Sequence, residues 1–335
     1  MVNNNNLYIF NFRVKKFIIN SIIFFLLTLS IFSLLLFSTK NILKKGKFYS
    51  IDSTITSILL GHSHASDDFN DSLIEHFRNF GSPGESYYYS YFKAKKLIEN
   101  NTHINTVFIV YTNNQINARA DKWIWSEKYL NHTFPKYSAF IGWSDYKILL
   151  FKNWQAVLNS ECLSLKQNLY FLLKSRYKNN YMDETDWGKF SSVNGSSIDL
   201  LGDNDIKEAD ESNKEEIAKI NIQYLIKTIA FFNTNHIKTY LIRCPLHPNY
   251  KTLNEIAFKQ TLDYYHLTAS FMDFKDYPLN NDAFLDLEHL NVKGANEFSI
   301  FFSHLLKDKI LEKENRNDYI IHIIDSLKVD KHDTR

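Results

Sequence analysis

The sequence predicts an α/β domain whose mostly parallel sheet is covered by helices on both faces. Short buried apolar runs alternate with amphipathic segments of helical period, which is typical of parallel sheets. Clusters of polar residues directly follow most of the predicted strands, where ligands bind in such sheets. The chain has 335 residues, and at about 100–200 residues per domain this length allows one large domain or two modest ones.

One charge-free segment precedes this domain. Residues Phe17 to Phe37 contain no charged side chain, and as a helix they would span about 31 Å, the thickness of a bilayer core. We therefore expect a transmembrane helix at 17–37, with a cytoplasmic segment at 1–16 and a stem at 38–52. A cleaved signal peptide and a buried core helix are the alternatives. Basic residues flank both ends, so charge does not decide the orientation.

The elements of the domain follow in order. In the first half of the domain, the sequence predicts a strand, two helices and a second strand. A largely helical insertion follows at about 115–213 and ends in a polar loop. The second half predicts helix, strand, helix, strand and helix, which places the domain at 53–312 and a tail at 313–335. The predicted strands are Thr54–Leu60, Thr106–Tyr111, Lys238–Arg243 and Ala269–Phe274. The predicted helices are Asp67–Phe77, Ser86–Glu99, a stretch at 146–177, Glu215–Asn233, Leu253–Tyr265 and Val292–Leu311.

Composition excludes several classes of protein. The 39 basic and 37 acidic residues give a net charge of +2, so a uniformly basic nucleic-acid surface is not indicated. Two cysteines exclude a disulfide scaffold and a four-cysteine zinc site. Cys162 and Cys244 are expected to be free, although they could pair in an oxidising compartment.

Four polar clusters could carry chemistry. A serine entering a helix directly after a buried strand presents its hydroxyl at the sheet edge, and an Asp–x–x–His pair can orient an imidazole as a base. Taken singly, each cluster is also explained by an ordinary turn, cap or loop. The clusters are Gly61-His62-Ser63-His64, the stretch from Asn79 to Gly84, Asn113-Asn114, and Asp286-Leu287-Glu288-His289.

Together, in this order, the clusters resemble the blocks of the SGNH/GDSL hydrolase superfamily. The resemblance covers roughly Ser53 to Leu311, and the stretch from Asp286 to Ala295 (D-x-x-H-L-N-x-x-G-A) is its most specific part. The chain departs from the pattern at His62, where the family has aspartate, at Tyr111 for glycine and at Asn114 for aspartate. The resemblance implies a three-layer, flavodoxin-like sandwich.

It also implies roles for individual residues. Ser63 would be the nucleophile, His289 the general base and Asp286 the residue that orients it, while Ser63, Gly84 and Asn113 would form the oxyanion hole. No cofactor is expected. No metal is expected either, although His62, His64, Asp67 and His289 could converge on one. The candidates for substrate binding are His62, His64, Asn114 and His247.

The expected function is that of a membrane-anchored serine esterase or O-acyltransferase. Its substrates would be acyl esters, especially acetyl esters, of a cell-envelope glycan, and the catalytic domain would be extracytoplasmic. A non-catalytic relative that binds a glycan or assembles a polysaccharide machine is the main alternative, and a lipid-directed esterase is a third. Five aromatic residues of the insertion could stack on sugars or simply pack a cap: Trp123, Trp125, Tyr129, Trp143 and Trp154.

Overall fold

A computed structural model describes residues 4–175, 180–196, 198, 216–252 and 254–333. It contains an α/β domain preceded by a long N-terminal helix. The strands are β1 Ser57–Leu60, β2 Phe77–Asn79, β3 Thr106–Val110, β4 Lys238–Arg243 and β5 Phe271–Asp273. The helices are α1 Asn4–Lys45, α2 Ser63–Asp68, α3 Tyr87–Asn100, α4 Asn113–Ile116, α5 Lys122–Trp125, α6 Glu127–Tyr137, α7 Trp143–Ser175, α8 Tyr181–Glu184, α9 Lys219–Thr234, α10 Glu255–Tyr264, α11 Val292–Lys307 and α12 Arg316–Asp333.

The five strands form one parallel sheet in the order β2-β1-β3-β4-β5. β1 and β3 lie side by side near its centre, with Leu60 opposite Ile109. β3 in turn pairs with β4, with Val110 opposite Ile242. Because all strands are parallel, the loops that follow β1, β3, β4 and β5 meet at one edge, where ligands bind in such sheets.

Alternate residues of each strand belong to two different hydrophobic clusters. On β3, Val107 and Ile109 belong to the first cluster, with side chains of α3 and α9, while Phe108 belongs to the second, with side chains of α11 and α12. This alternation follows from the two-residue period of a strand. Both faces of the sheet are therefore covered by apolar side chains, as the long apolar runs of the strands predicted.

The N-terminal helix α1 contains a segment, Arg13–Lys45, that is long and apolar enough to cross a membrane. It is the one such helix among the described residues, and 6% of its apolar window is buried. Its C-terminal end is attached to the domain: Lys96 donates a hydrogen bond to the Lys44 carbonyl (2.9 Å), and Asn101 pairs with the backbone of Tyr49 and Ile51 (2.7 Å each). The predicted stem at 38–52 is thus partly helical and packed on the domain.

The insertion between β3 and α9 is helical, as expected, and contains α4 to α8. α7 is interrupted at Asn153, whose backbone is extended (φ −159°, ψ 71°). The Asn153 side chain accepts a hydrogen bond from the Ala156 N–H (3.2 Å) and thereby begins the second arm of the helix. Of the polar loop predicted at 191–213, residues 197 and 199–213 lie outside the described residues.

The structure corrects the predicted helix Asp67–Phe77. α2 ends at Asp68, because the Asn70 side chain accepts from the Ser72 N–H (3.1 Å) in a local turn and His76 adopts a left-handed backbone (φ 57°). Of the apolar residues that suggested a helix, Phe69, Ile74 and Phe77 instead reach the second cluster from a short turn and from β2, while Leu73 is exposed.

The residues beyond Glu312, expected as a tail, contain α12. Ile320 and Ile324 of α12 are buried in the second hydrophobic cluster, and the helix contacts β5. The Asn317 side chain accepts a hydrogen bond from the Asp273 N–H (2.9 Å) at the end of β5. The α/β domain therefore extends past residue 312.

Candidate active site

Ser63 lies where β1 leads into α2. Gly61, which directly follows β1, has a backbone φ of +155°, and a Cβ there would lie 2.8 Å from Cβ of Val110 on the neighbouring strand. The close packing of the two strands thus requires glycine at this position. His62 precedes the helix with extended-like backbone, and Ser63 is the first helical residue. The Ser63 side chain therefore projects from the carboxyl edge of the sheet.

His289 and Asp286 belong to the loop that precedes α11. Asp286 Oδ1 accepts the backbone N–H groups of Glu288 (2.7 Å) and His289 (2.8 Å), and both its oxygens lie 3.0 Å from His289 Nδ1. Burial alone would raise the pKa of Asp286, but the hydrogen bond and charge of His289 and the two backbone donors lower it. Asp286 is thus an anion that orients the imidazole.

The structure brings these three predicted residues together in one chain of hydrogen bonds. His289 Nε2 lies 2.8 Å from Ser63 Oγ, on the opposite side of the ring from Asp286. The side chains of His289 and Asp286 are 20% and 43% exposed, so the chain opens to solvent. A hydroxyl, an imidazole and a carboxylate in this order can transfer the hydroxyl proton to the ring during nucleophilic attack.

Two of the three predicted oxyanion donors are backbone N–H groups. Those of Ser63 and Gly84 have no acceptor among the residues that the structure describes. Gly84 has φ +71°, and a Cβ there would lie 2.8 Å from the Tyr129 ring, which explains the glycine. Asn79 stabilises this loop, because it accepts the Gly81 N–H (2.7 Å) and donates to the Ala65 carbonyl (2.6 Å).

The third predicted oxyanion donor, Asn113, is directed to a different partner. Its Nδ2 donates to Glu255 Oε2 (3.1 Å), and the same carboxylate accepts from Arg243 (2.8 Å). Arg243 is in turn paired with Asp273. The N–H of Asn113 that binds Glu255 would have to exchange partners before it could bind an oxyanion.

His62, which stands where the resembling family has aspartate, is buried beside the hydroxyl. Its Nδ1 lies 3.2 Å from Ser63 Oγ and its Nε2 lies 2.8 Å from Thr112 Oγ1. Burial, followed by the charges of His64 and His289, holds the pKa of His62 well below its ordinary value. His62 is therefore a neutral imidazole in contact with the hydroxyl of the predicted nucleophile.

His64 forms a second ionic network, which the sequence did not predict. Its Nδ1 lies 3.4 Å from Asp68 and its Nε2 lies 3.9 Å from Glu288, while its ring centre is 4.7 Å from that of His289. Burial would lower the pKa of His64, but the two carboxylates outweigh it and raise the pKa to about 9. The only available signal was the spacing of His64 and Asp68, four residues apart on a helix.

The remaining predicted substrate-binding residues border this network. Asn114 Nδ2 donates to Glu288 (2.6 Å). The His247 N–H donates to the Leu287 carbonyl (3.1 Å), so its loop packs directly against the one that carries Asp286. His247 also lines an open cavity of about 900 Å³ together with Lys275, Asn281 and Lys328.

The structure brings together a set of possible metal ligands that differs from the set considered in the sequence. His64, Asp68 and Cys244 are all buried, and their ligand atoms lie within 4.8 Å of one another. The Cys244 thiol, however, donates to the His64 carbonyl (3.7 Å), and one Asp68 oxygen accepts the Leu290 N–H (2.9 Å). His64 and Asp68 thus form an ion pair beside a thiol whose pKa burial raises well above its ordinary value. Cys162 is exposed, and both cysteines are free.

Aromatic side chains of the insertion form one wall of the site. The Trp123 ring lies 5.8 Å from the His62 ring and 5.8 Å from the Tyr129 ring. Both Trp123 and Tyr129 are half-buried. In contrast, Trp143 and Trp154 are exposed on α7. Of the five aromatic residues singled out in the sequence, two thus lie beside the predicted nucleophile.

Comparison with known proteins adds little beyond this geometry. The model of an uncharacterised family matches residues 197–311, which is less than half of the chain. The matched segment includes Asp286 and His289 but not Ser63. No curated protein matches the chain.

Proposed function

We propose that this protein is a serine esterase or O-acyltransferase anchored in a membrane by α1. The observation that carries the proposal is the hydrogen-bonded chain of Ser63, His289 and Asp286, with distances of 2.8 and 3.0 Å. These are the distances expected for a nucleophile, its base and the group that orients the base. The two-sided cover of the parallel sheet supports the three-layer arrangement of the SGNH/GDSL superfamily.

In the proposed mechanism, Ser63 Oγ attacks the ester carbonyl while His289 Nε2 accepts the hydroxyl proton. The tetrahedral oxyanion is stabilised by the backbone N–H groups of Ser63 and Gly84. His289 then returns the proton to the leaving alcohol, and the acyl group remains on Ser63. Water or an acceptor hydroxyl attacks this acyl-enzyme in the same way, with His289 again accepting the proton.

His62 can support this chemistry although it is not a carboxylate like the aspartate of the resembling family. As a neutral imidazole 3.2 Å from Ser63 Oγ, it can donate a hydrogen bond from Nδ1 to the hydroxyl oxygen, which leaves the hydroxyl proton directed towards His289. Thr112, hydrogen-bonded to the other ring nitrogen, determines the orientation of the ring. The replacement of aspartate by His62 is thus compatible with a nucleophilic Ser63.

We further propose that the acyl group, especially acetyl, is carried by a cell-envelope glycan. The support is the wall formed by the half-buried rings of Trp123 and Tyr129 beside His62, since aromatic rings with a polar edge suit the amphipathic faces of sugars. The long apolar α1 supports a location at the membrane. We place the α/β domain on the extracytoplasmic side because the proposed substrate is a cell-envelope glycan.

The decisive experiment compares the full-length protein with its Ser63→Ala variant in detergent. We expect Ser63→Ala to lower the turnover of a chromogenic acetyl ester by about 10⁴-fold or more and to abolish labelling by a fluorophosphonate probe. Ser72→Ala is the matched control, because Ser72 is exposed and lies outside the site. Equal turnover by wild type and Ser63→Ala would refute the proposal, and glycan binding without labelling would instead indicate a non-catalytic binding protein.

A further inference from the structure

α7 folds back on itself at Asn153. Lys40 Nζ lies 2.7 Å from the Glu161 carboxylate and 5.9 Å from the centre of the Tyr146 ring. In a straight helix, residues 146 and 161 would be about 22 Å apart along the axis, so both could not contact one lysine. The two arms of α7 therefore run beside each other, and the bend at Asn153 is their tip.

This tip, which we call the elbow, exposes three large apolar side chains. Phe151 is 88% exposed, Trp154 57% and Leu158 54%. Grouped apolar residues of this size on a surface commonly mark a contact with a membrane or another protein.

The contacts of α7 with α1 and with the segment directly after α1 show in which direction the elbow points. The rings of Phe48 and Phe171 lie 5.4 Å apart, and Lys40 pairs with Glu161. From the Phe48–Phe171 contact to the Lys40–Glu161 contact, residue numbers fall in both segments. α1 and the second arm of α7 therefore run in the same direction, and falling residue numbers lead towards the elbow. Trp154 lies about 10 Å beyond Glu161 on its helix, and the same distance from Lys40 along α1 ends near Ser33. This level lies inside the charge-free segment 17–37.

We propose that the elbow inserts into the same bilayer that α1 spans and forms a second membrane contact. The inference rests on the proposed anchor, because it uses the level of the bilayer that α1 defines. Around the elbow, Lys152 Nζ lies 5.0 Å from the centre of the Trp125 ring. A tryptophan and a lysine with a long apolar stem are typical of the membrane–water boundary.

The elbow also fixes which side of the domain faces the bilayer. Asn153 Nδ2 donates to the Trp125 carbonyl (3.0 Å), and two residues earlier in the chain the Trp123 ring contacts His62. The elbow and the candidate active site are thus joined by the single short helix α5. With the elbow in the membrane, the carboxyl edge of the sheet is turned towards the lipid surface, and an ester would reach Ser63 from that surface.

The proposal is tested with the full-length protein in phosphatidylcholine vesicles whose acyl chains are brominated or unmodified. Bromine quenches only those tryptophans that reach the acyl chains. We expect brominated lipid to reduce the fluorescence of wild type, and Trp154→Phe to lose most of this reduction. Trp143→Phe is the matched control: Trp143 is 65% exposed on the same helix but lies ten residues before Asn153, about 15 Å from the elbow, and the variant should retain the reduction.

The outcomes of this experiment distinguish a failure of the elbow inference from a failure of the proposed anchor. If the protein floats with the vesicles but Trp154→Phe is quenched as strongly as wild type, the elbow does not reach lipid and the inference is wrong. The same holds if Trp154 emits in an apolar environment without bromine quenching, which would indicate that another protein surface covers it. Failure to float would refute the anchor and the inference with it. None of these readings depends on ester turnover.

Discussion

The buried imidazolium of His64 should make the stability of the protein depend on pH. Burial opposes its charge, but Asp68 and Glu288 raise its pKa to about 9, whereas in the unfolded chain the ordinary value of 6.5 applies. The stabilising contribution is therefore fully present below pH 6.5 and is lost as the pH rises through about 9. At about 1.4 kcal/mol per pKa unit, the loss between pH 7 and pH 10 is roughly 2–3 kcal/mol.

The measurement needs a reference in which the buried His64–Asp68 pair is uncharged. We suggest the double variant His64→Gln with Asp68→Asn, which avoids leaving a buried carboxylate without its cation. Urea unfolding of both full-length proteins in detergent, followed by tryptophan fluorescence at pH 7 and pH 10, gives the two free energies of unfolding. Lys136, whose pKa burial lowers to about 8, acts in the opposite direction. It is present in both proteins and cancels in the difference.

We expect the advantage of wild type over this reference to be roughly 2–3 kcal/mol smaller at pH 10 than at pH 7. A difference between the two proteins that does not change with pH would show that His64 does not hold its proton more tightly in the folded state. The ion network described above would then be wrong.

Three further outcomes can be checked. Gly84→Ala should reduce ester turnover by about 10²-fold or more, because it strains the φ +71° backbone and displaces a proposed oxyanion donor, while thermal unfolding should show a loss of only about 1–2 kcal/mol. Asp286→Asn should lower kcat by about 10⁴-fold, as His289 loses its orienting anion, and an unchanged kcat would remove Asp286 from the mechanism. Lys93→Met should cost about 3–5 kcal/mol in urea unfolding, since it strands Glu85 in a fully buried pair. Adding Glu85→Gln should restore most of that loss, and no restoration would contradict this explanation.

The elements that the sequence predicted well are those with strong local signals. β4 has the predicted bounds, because polar residues flank its apolar Tyr-Leu-Ile run and a Cys-Pro pair follows it. α11 begins at the predicted Val292, where the Asn291 side chain caps the Lys293 and Gly294 N–H groups. β2 was missed because three residues are too few for a strand period to be recognised, and the apolar residues before it imitate helical spacing.

Features made by distant contacts were not predictable in this way. The order of the motifs placed Ser63 with His289, but nothing in the sequence linked Asp68 to the Leu290 N–H, 222 residues away. The bend of α7 at the elbow was not predicted for a similar reason. Asn153 is neither proline nor glycine, and the stretch around it has the composition of a continuous helix. Its bend depends on hydrogen bonds to Ala156 and to the carbonyl of Trp125, which lies 28 residues earlier.

The separation of Ser63 and His289 by 226 residues has a consequence for biogenesis. At a synthesis rate of about 5–20 residues per second, the ribosome makes the imidazole roughly 11–45 s after the serine. Throughout this interval α1 and the serine have already been made, while the base and the final helices are still missing. A nascent chain can therefore reach the membrane before its proposed base has been made, and the proposed activity cannot begin until residue 289 has been synthesised and folded against Ser63.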